Sequence, residues 1–137
     1  MQDSSDRAQI DVLIAAFFAA FDNRDGRIPD EEKMVALFAE KAIVAKHQAG
    51  QVELASPEEF AEPRIALLKS GDLVGFHEWE VSAQTEICES LAVRNARYAK
   101  SGLYCGKPYS GAGTKFFQLA KLASAWKIVA LSWIDDA

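Results

Sequence analysis

The chain has few of the residues that usually staple small folds or carry their chemistry. In 137 residues it has two cysteines, Cys88 and Cys105, and two histidines, His47 and His77. Two widely spaced cysteines exclude a disulfide framework and a zinc site built on thiolates, and leave open only a single bridge between adjacent strands. They read as reduced thiols of a cytoplasmic protein. No long hydrophobic run exists: the most apolar stretch, Val12 to Phe21, is half of what a membrane span requires. A start carrying Asp3 and Asp6 does not match the basic region of a signal peptide, so no targeting segment is expected. Positive charge is scarce as well. Fifteen Lys and Arg face 20 Asp and Glu, giving a net charge of −5. With no basic surplus to displace counterions from phosphates, nucleic acid is not an expected partner.

What is present is globular composition, 50% hydrophobic and 26% charged, in a length that suits one domain over residues 1–137. Surface scaling predicts about 7,000 Å² of accessible surface for a compact monomer of this mass.

The first part of the chain has helical periodicity. Asp6 followed by Gln9 has the capping-box pattern, and Ile10, Leu13, Ile14, Phe17, Phe18 and Phe21 form one broad apolar face. This predicts a largely buried helix ending near Asn23. Asp30 caps a second helix expected to reach Phe38, with a short strand over 42–47 after it and another over 52–54. Ser56-Pro57-Glu58-Glu59 is a strong start signal for a third helix ending at Ser70-Gly71, with a distortion or early break expected at Pro63.

From Leu73 the period changes to two. His77, Trp79, Val81, Ala83, Thr85 and Ile87 alternate with polar neighbours, and three more strands are expected over 92–101, 113–122 and 125–134. The connections fall at 88–90, 106–111 and 123–124, which predicts an antiparallel meander. The class is therefore α+β, with three N-terminal helices packed on the concave face of a strongly curved antiparallel sheet.

Two segments carry a family resemblance. Trp126-Lys127-Ile128-Val129-Ala130-Leu131-Ser132-Trp133 is similar to the closing W-(K/R)-I strand of the nuclear transport factor 2-like superfamily, and the hairpin from Ser101 to Gly111 resembles that family's hairpin. The element order resembles its small bacterial SnoaL-like members. That resemblance implies a cone-shaped, cystatin-like roll with a pocket between sheet and helices, and dimerisation through the outer sheet face. Relatives include isomerases, dehydratases, cyclases and proteins that only bind or assemble, so the fold does not select an activity.

The isomerase pattern of a carboxylate base with a tyrosine–aspartic acid oxyanion hole finds no match, since Phe17, Phe18 and Phe21 stand where the tyrosine is wanted. The strand over 43–47 carries no carboxylate either. The resemblance to dehydratases points to His77 and His47 with Asp22 as catalytic candidates, near Tyr98 and Tyr104. The segment from Phe21 to Glu32 superficially matches a calcium loop, but Phe21 occupies the first ligand position and a turn plus a helix cap explains its residues. Phe17, Phe21, Phe38, Phe60, Trp79, Tyr98, Phe117 and Trp133 are the expected lining of an apolar ligand pocket. Asp135 and Asp136 read as a solvated, frayed end.

The leading expectation is a small-molecule-binding protein that needs no cofactor or metal and takes a small hydrophobic ligand. The alternatives are a cofactor-independent lyase or isomerase and a homo-association module. A homodimer through the convex sheet face is expected, with Glu80, Gln84, Arg94 and Lys115 supplying its polar contacts.

Overall fold

The computed structural model describes residues 2–137, with side chains from Ser4 onward. Helix α1 (Gln2–Ala19) is followed by a 3₁₀ turn at Arg24–Gly26, helix α2 (Glu31–Val35) and strands β1 (Phe38–Gln48) and β2 (Gln51–Ala55). Helix α3 (Pro57–Lys69) then leads into β3 (Leu73–Cys88), β4 (Leu91–Tyr104), β5 (Lys107–Leu122) and β6 (Ala125–Asp135). The six strands form one curved sheet in the order β2-β1-β6-β5-β4-β3. Neighbours are antiparallel except β1 and β6, which run parallel. The sheet is thus mixed, and α3 follows the first hairpin instead of joining the other helices at the N-terminus.

Local chemistry accounts for most element boundaries. Ser56 and Glu59 form a reciprocal capping box, with Ser56 N–H donating to Glu59 Oε1 at 2.8 Å and Glu59 N–H to Ser56 Oγ at 3.1 Å. Pro63 does not break α3. It and Glu59, whose carbonyl loses its helical donor, are both exposed, on the solvent side of the helix. Helix α2 is shorter than its periodicity suggests because Phe38 already belongs to β1. The connection expected over 106–111 is strand instead, and the β4–β5 turn is reduced to Cys105-Gly106. Cys88 and Cys105 are free and exposed.

Asp6 is not a helix cap. It lies inside α1, 3% exposed, and accepts from Lys121 Nζ at 2.7 Å and Trp126 Nε1 at 3.1 Å, which ties the start of α1 to the hairpin of β5 and β6. Phe17 is fully buried at the centre of a ring cluster, with Phe18, Phe21, Phe38, Phe60 and Phe117 at centroid distances of 5.2–6.4 Å. Such contacts add to area burial and fix α1 against the concave sheet face.

Pleat phase decides what each strand offers to that face. Register shifts near Gly75 and Val81 reset β3 twice. Phe76 is buried and Glu78 and Glu80 are half-buried, whereas Trp79 and Val81 are exposed. Ala83 and Thr85 pair with the buried Ala96 and Arg94, so they share the inner side. The alternation from His77 to Ile87 is therefore not one face. A shift at Val129 does the same in β6, where Trp126 and Ile128 are buried before it and Leu131 and Trp133 after it.

Arg94 and Lys115 also point inward, 8% and 3% exposed, and are not available to an outer-face interface. Arg94 holds Glu80 through Nε at 3.0 Å and Nη2 at 2.6 Å, and its Nη1 reaches Asp11 of α1 at 2.7 Å and Thr85 at 3.0 Å. Removing one partner of a buried pair strands the other. Arg94→Met should therefore cost about 3 kcal/mol in urea unfolding, and Arg94→Met/Glu80→Met should recover part of that loss. A single-variant loss below about 1 kcal/mol would place the network among ordinary surface pairs.

Candidate functional site

A cavity of about 230 Å³ lies between α3, the end of α1 and the inner sheet face. Its apolar walls are Phe21, Phe60, Leu67, Leu68, Leu73, Phe76, Tyr98, Tyr109 and Trp133. Its polar groups are four cations, Lys46, Arg64, Lys100 and Lys115, and two carboxylates, Glu78 and Asp135. The cavity is not the apolar pocket that the aromatic content suggests. It carries a formal charge of +2 inside a chain of net charge −5.

Lys115 reaches the inside because β5 alternates without interruption through the buried Gly113, Lys115 and Phe117. Its Nζ sits 4.0 Å from the Tyr98 ring centroid and 4.8 Å from that of Trp133. Glu78 Oε1 is 3.7 Å away, an ion pair too long for a hydrogen bond, and that oxygen has no hydrogen-bond partner among the described residues. Burial pulls the Lys115 amine down to about 8, against the partial restoring effect of Glu78, and the positive charges of Lys100 and Arg64 add to the depression.

Tyr98 Oη donates to Asp135, which also accepts from Lys100 Nζ at 3.2 Å. Asp135 is thus part of the cavity wall and no frayed end, and burial raises its carboxyl above the usual range. Asp136 pairs with Arg97 at 2.6 Å. Gly113 makes room for Tyr98: a Cβ there would stand 2.8 Å from the ring and 2.9 Å from its hydroxyl.

Of the lining expected from sequence, Phe21, Phe60, Tyr98 and Trp133 border the cavity. Phe17, Phe38 and Phe117 are closed in the ring cluster behind it, and Trp79 is 39% exposed at the β3 edge. The histidine pair is not assembled. His77 stacks on Trp79 at 4.5 Å and lines a groove with Asp22, Arg24 and residues of α1. His47 is exposed on β1, bordering shallow depressions on the far side of the sheet. Asp22 shares the His77 groove, but the Arg24 guanidinium beside it holds its carboxyl down at about 2, below any useful proton-transfer range near neutrality. Tyr104 is exposed at the end of β4.

Each histidine adjoins a residue that does enter the cavity, Lys46 before His47 and Glu78 after His77, and the pleat turns the two neighbours to opposite faces. Lys46, Arg64, Glu78, Lys100, Lys115 and Asp135 were not singled out for this cavity from sequence; the inward phase of β5 was the one available signal, for Lys115. In the loop that resembled a calcium site, Asn23 instead donates to the carbonyls of Leu68 and Leu73 and accepts from Phe76 N–H, tying the loop to α3 and β3. Among the described residues no group of three or more His, Cys, Asp or Glu side chains is placed to hold a metal ion.

The Lys115 amine titrates near 8 when folded and near 10.5 when unfolded, so between those values the unfolded chain binds more protons and stability rises with pH. Relative to Lys115→Met, the wild type should gain about 2 kcal/mol between pH 7.5 and 9.5 in urea unfolding. The facing groups Lys46, Arg64, Glu78, Tyr98, Lys100 and Asp135 are common to both proteins. A flat difference would mean that the amine stays hydrated.

No family model and no curated protein matches the sequence. Solved structures do match over nearly the whole chain. A hexachlorocyclohexane dehydrochlorinase (LinA, type 2) superposes with a TM-score of 0.80 at 12% identity, covering 98% of this chain and 88% of that one. A candidate scytalone dehydratase from Novosphingobium aromaticivorans gives 0.77 at 14% identity, with coverage of 100% and 89%. A nuclear transport factor 2-like protein with a cystatin-like fold from the same organism gives 0.75 at 16% identity, with coverage of 98% and 84%. The chain has the cystatin-like fold of the nuclear transport factor 2-like proteins.

Proposed function

We propose that the chain is a small-molecule-binding protein whose site is the cavity between α3 and the inner sheet face. The observation that carries this reading is the burial of Lys115 and of the Glu78 Oε1 atom in the wall of this cavity, where both cost stability and, among the described residues, neither completes a hydrogen-bonded pair with the other. Groups kept at such cost beside aromatic walls are the usual make-up of a ligand site.

A second reading, a cofactor-independent lyase or isomerase, is favoured by the same amine. A lysine poised near 8 suits general-base work, and two structural neighbours bear the names of elimination enzymes. In such an elimination the neutral Lys115 amine takes a proton from carbon, the C–H electron pair becomes the new double bond, and the leaving group departs from the adjacent carbon with its own bonding pair. The base is then Lys115 and not a histidine.

Self-association is a compatible third property. Ile43, Val52, Leu54, Phe116 and Ile134 are 39–72% exposed on strands β1, β2, β5 and β6. Register puts Val52 and Ile134 opposite His47 on one side of the sheet. The chain exposes 8108 Å², against about 7,000 Å² for a compact monomer. These observations support a homodimer through the outer face, burying at least about 1,200 Å².

A thermal-shift screen of small aromatic and alicyclic compounds should raise Tm with ligand concentration, and Lys115→Met should weaken the response; no hit that is sensitive to Lys115 would refute the cavity as the site. For the dimer, light scattering at micromolar concentration should give twice the 15.0 kDa chain mass, and Phe116→Glu should return it to one. A wild-type mass near 15 kDa refutes the dimer.

A further inference from the structure

Among the described residues, two of the four cavity cations have no carboxylate in direct ion-pair contact. Lys100 pairs with Asp135 at 3.2 Å and Lys115 with Glu78 at 3.7 Å. Among the described residues, neither Lys46 nor Arg64 forms an ion pair with a carboxylate. They gather with Lys115 around one indole. Arg64 Cζ lies 5.1 Å from the Trp133 centroid, Lys115 Nζ 4.8 Å and Lys46 Nζ 5.8 Å. Arg64 is held there, its Nη1 donating to the Phe60 carbonyl at 2.9 Å and its Cζ 4.4 Å from the Phe60 ring centroid. The ring contacts give each cation some compensation, but three positive charges around a single ring repel one another. The Lys46 amine is lowered by burial first and by Arg64 second, and Lys115 is likewise lowered by Arg64. Clustered, half-buried and unpaired cations lower their energy most when an anion enters between them.

The remaining walls set the rest of the ligand. Phe21, Phe76, Tyr98 and Tyr109 add aromatic wall to the same cavity. Asp135 and Glu78 are paired with Lys100 and Lys115, and at longer range they and Glu53 offset only part of the charge at Lys46 and Arg64.

Resting on the binding reading above, we infer that the ligand is a small aromatic carboxylic acid taken as its anion, the carboxylate lying between Lys46 and Arg64 and the ring between Phe76, Tyr98 and Tyr109. Arg64 offers the planar fork that matches a carboxylate, and Lys46 a point charge beside it.

The probes are 2-naphthoate and its neutral isostere 2-naphthamide, measured by calorimetry and thermal shift on the full chain at pH 7. The acid should bind at least about tenfold more tightly than the amide, and its affinity should fall as salt rises. Lys46→Met and Arg64→Met should each weaken 2-naphthoate about tenfold and leave 2-naphthamide unchanged. Both variants should also keep or raise the Tm of the unliganded protein, because each removes a partly buried charge that lacks a close carboxylate; a fall in Tm would mark a structural cation and overturn the clamp. Equal affinity for acid and amide overturns the anion site while leaving the cavity a binding site. If neither probe binds, the aromatic-acid assignment is wrong, and the screen described under the proposed function decides separately whether the cavity binds anything.

Discussion

The phase of the pleat governs this molecule more than any single contact. A strand presents alternate residues to opposite faces, and one extra residue reverses the assignment for everything after it. Strand β3 carries two such resets and β6 one. Between the two in β3, Glu78 is turned into the cavity and His77 out toward the edge groove. Beyond the reset at Val129, Leu131, Trp133 and Asp135 take the inner side. The inward turn of Glu78, Trp133 and Asp135 and the outward turn of His77 follow from these breaks.

Within that frame the helices divide the concave face into two parts. Helix α1 closes one with a dry cluster of phenylalanines around Phe17, anchored at its beginning by Asp6 and along its side by the Arg94 network. Helix α3 covers the other incompletely, because Arg64 stacks across Phe60 and Trp133 where an apolar side chain would have filled the space. The ring cluster stabilises, and the buried charges of the cavity cost. A protein that only needed to fold would place a hydrophobic residue at position 115, since a buried lysine with a loose partner is dearer than a methylene packed in the same volume. That the costly group sits at the edge of the unfilled space is why stability and binding are expected to trade against each other in this site.

Charge separates this cavity from the apolar pocket that a count of aromatics suggests. Tyr98 and Trp133 do line it, yet they serve as the surfaces over which ammonium and guanidinium groups are held as much as hydrophobic walls. The overall acidic balance of the chain hides this concentration of positive charge, because composition averages a surface of exposed Asp and Glu with an interior of Lys and Arg.

Much of the architecture was legible in local chemistry. Ser56 to Glu59 announces α3, Asp30 caps α2, the apolar spacing from Ile10 to Phe21 announces α1, and the change to period two at Leu73 announces the sheet. These signals act over a few residues, so a linear chain carries them whole. The cavity was not legible, because its members come from α3 and from strands β1, β3, β4, β5 and β6, and in β3 and β6 the inward direction depends on bulges that alternation alone does not mark. Asp6 has the pattern of a cap and became a buried acceptor because Trp126 and Lys121 come to it across the sheet. Asp135 looked like a loose end until Tyr98 and Lys100 met it. Sequence by itself determined the helices, the strands and the supply of rings; only the tertiary structure decided which charges those rings would enclose, since burial and pairing are properties of neighbours brought together in space.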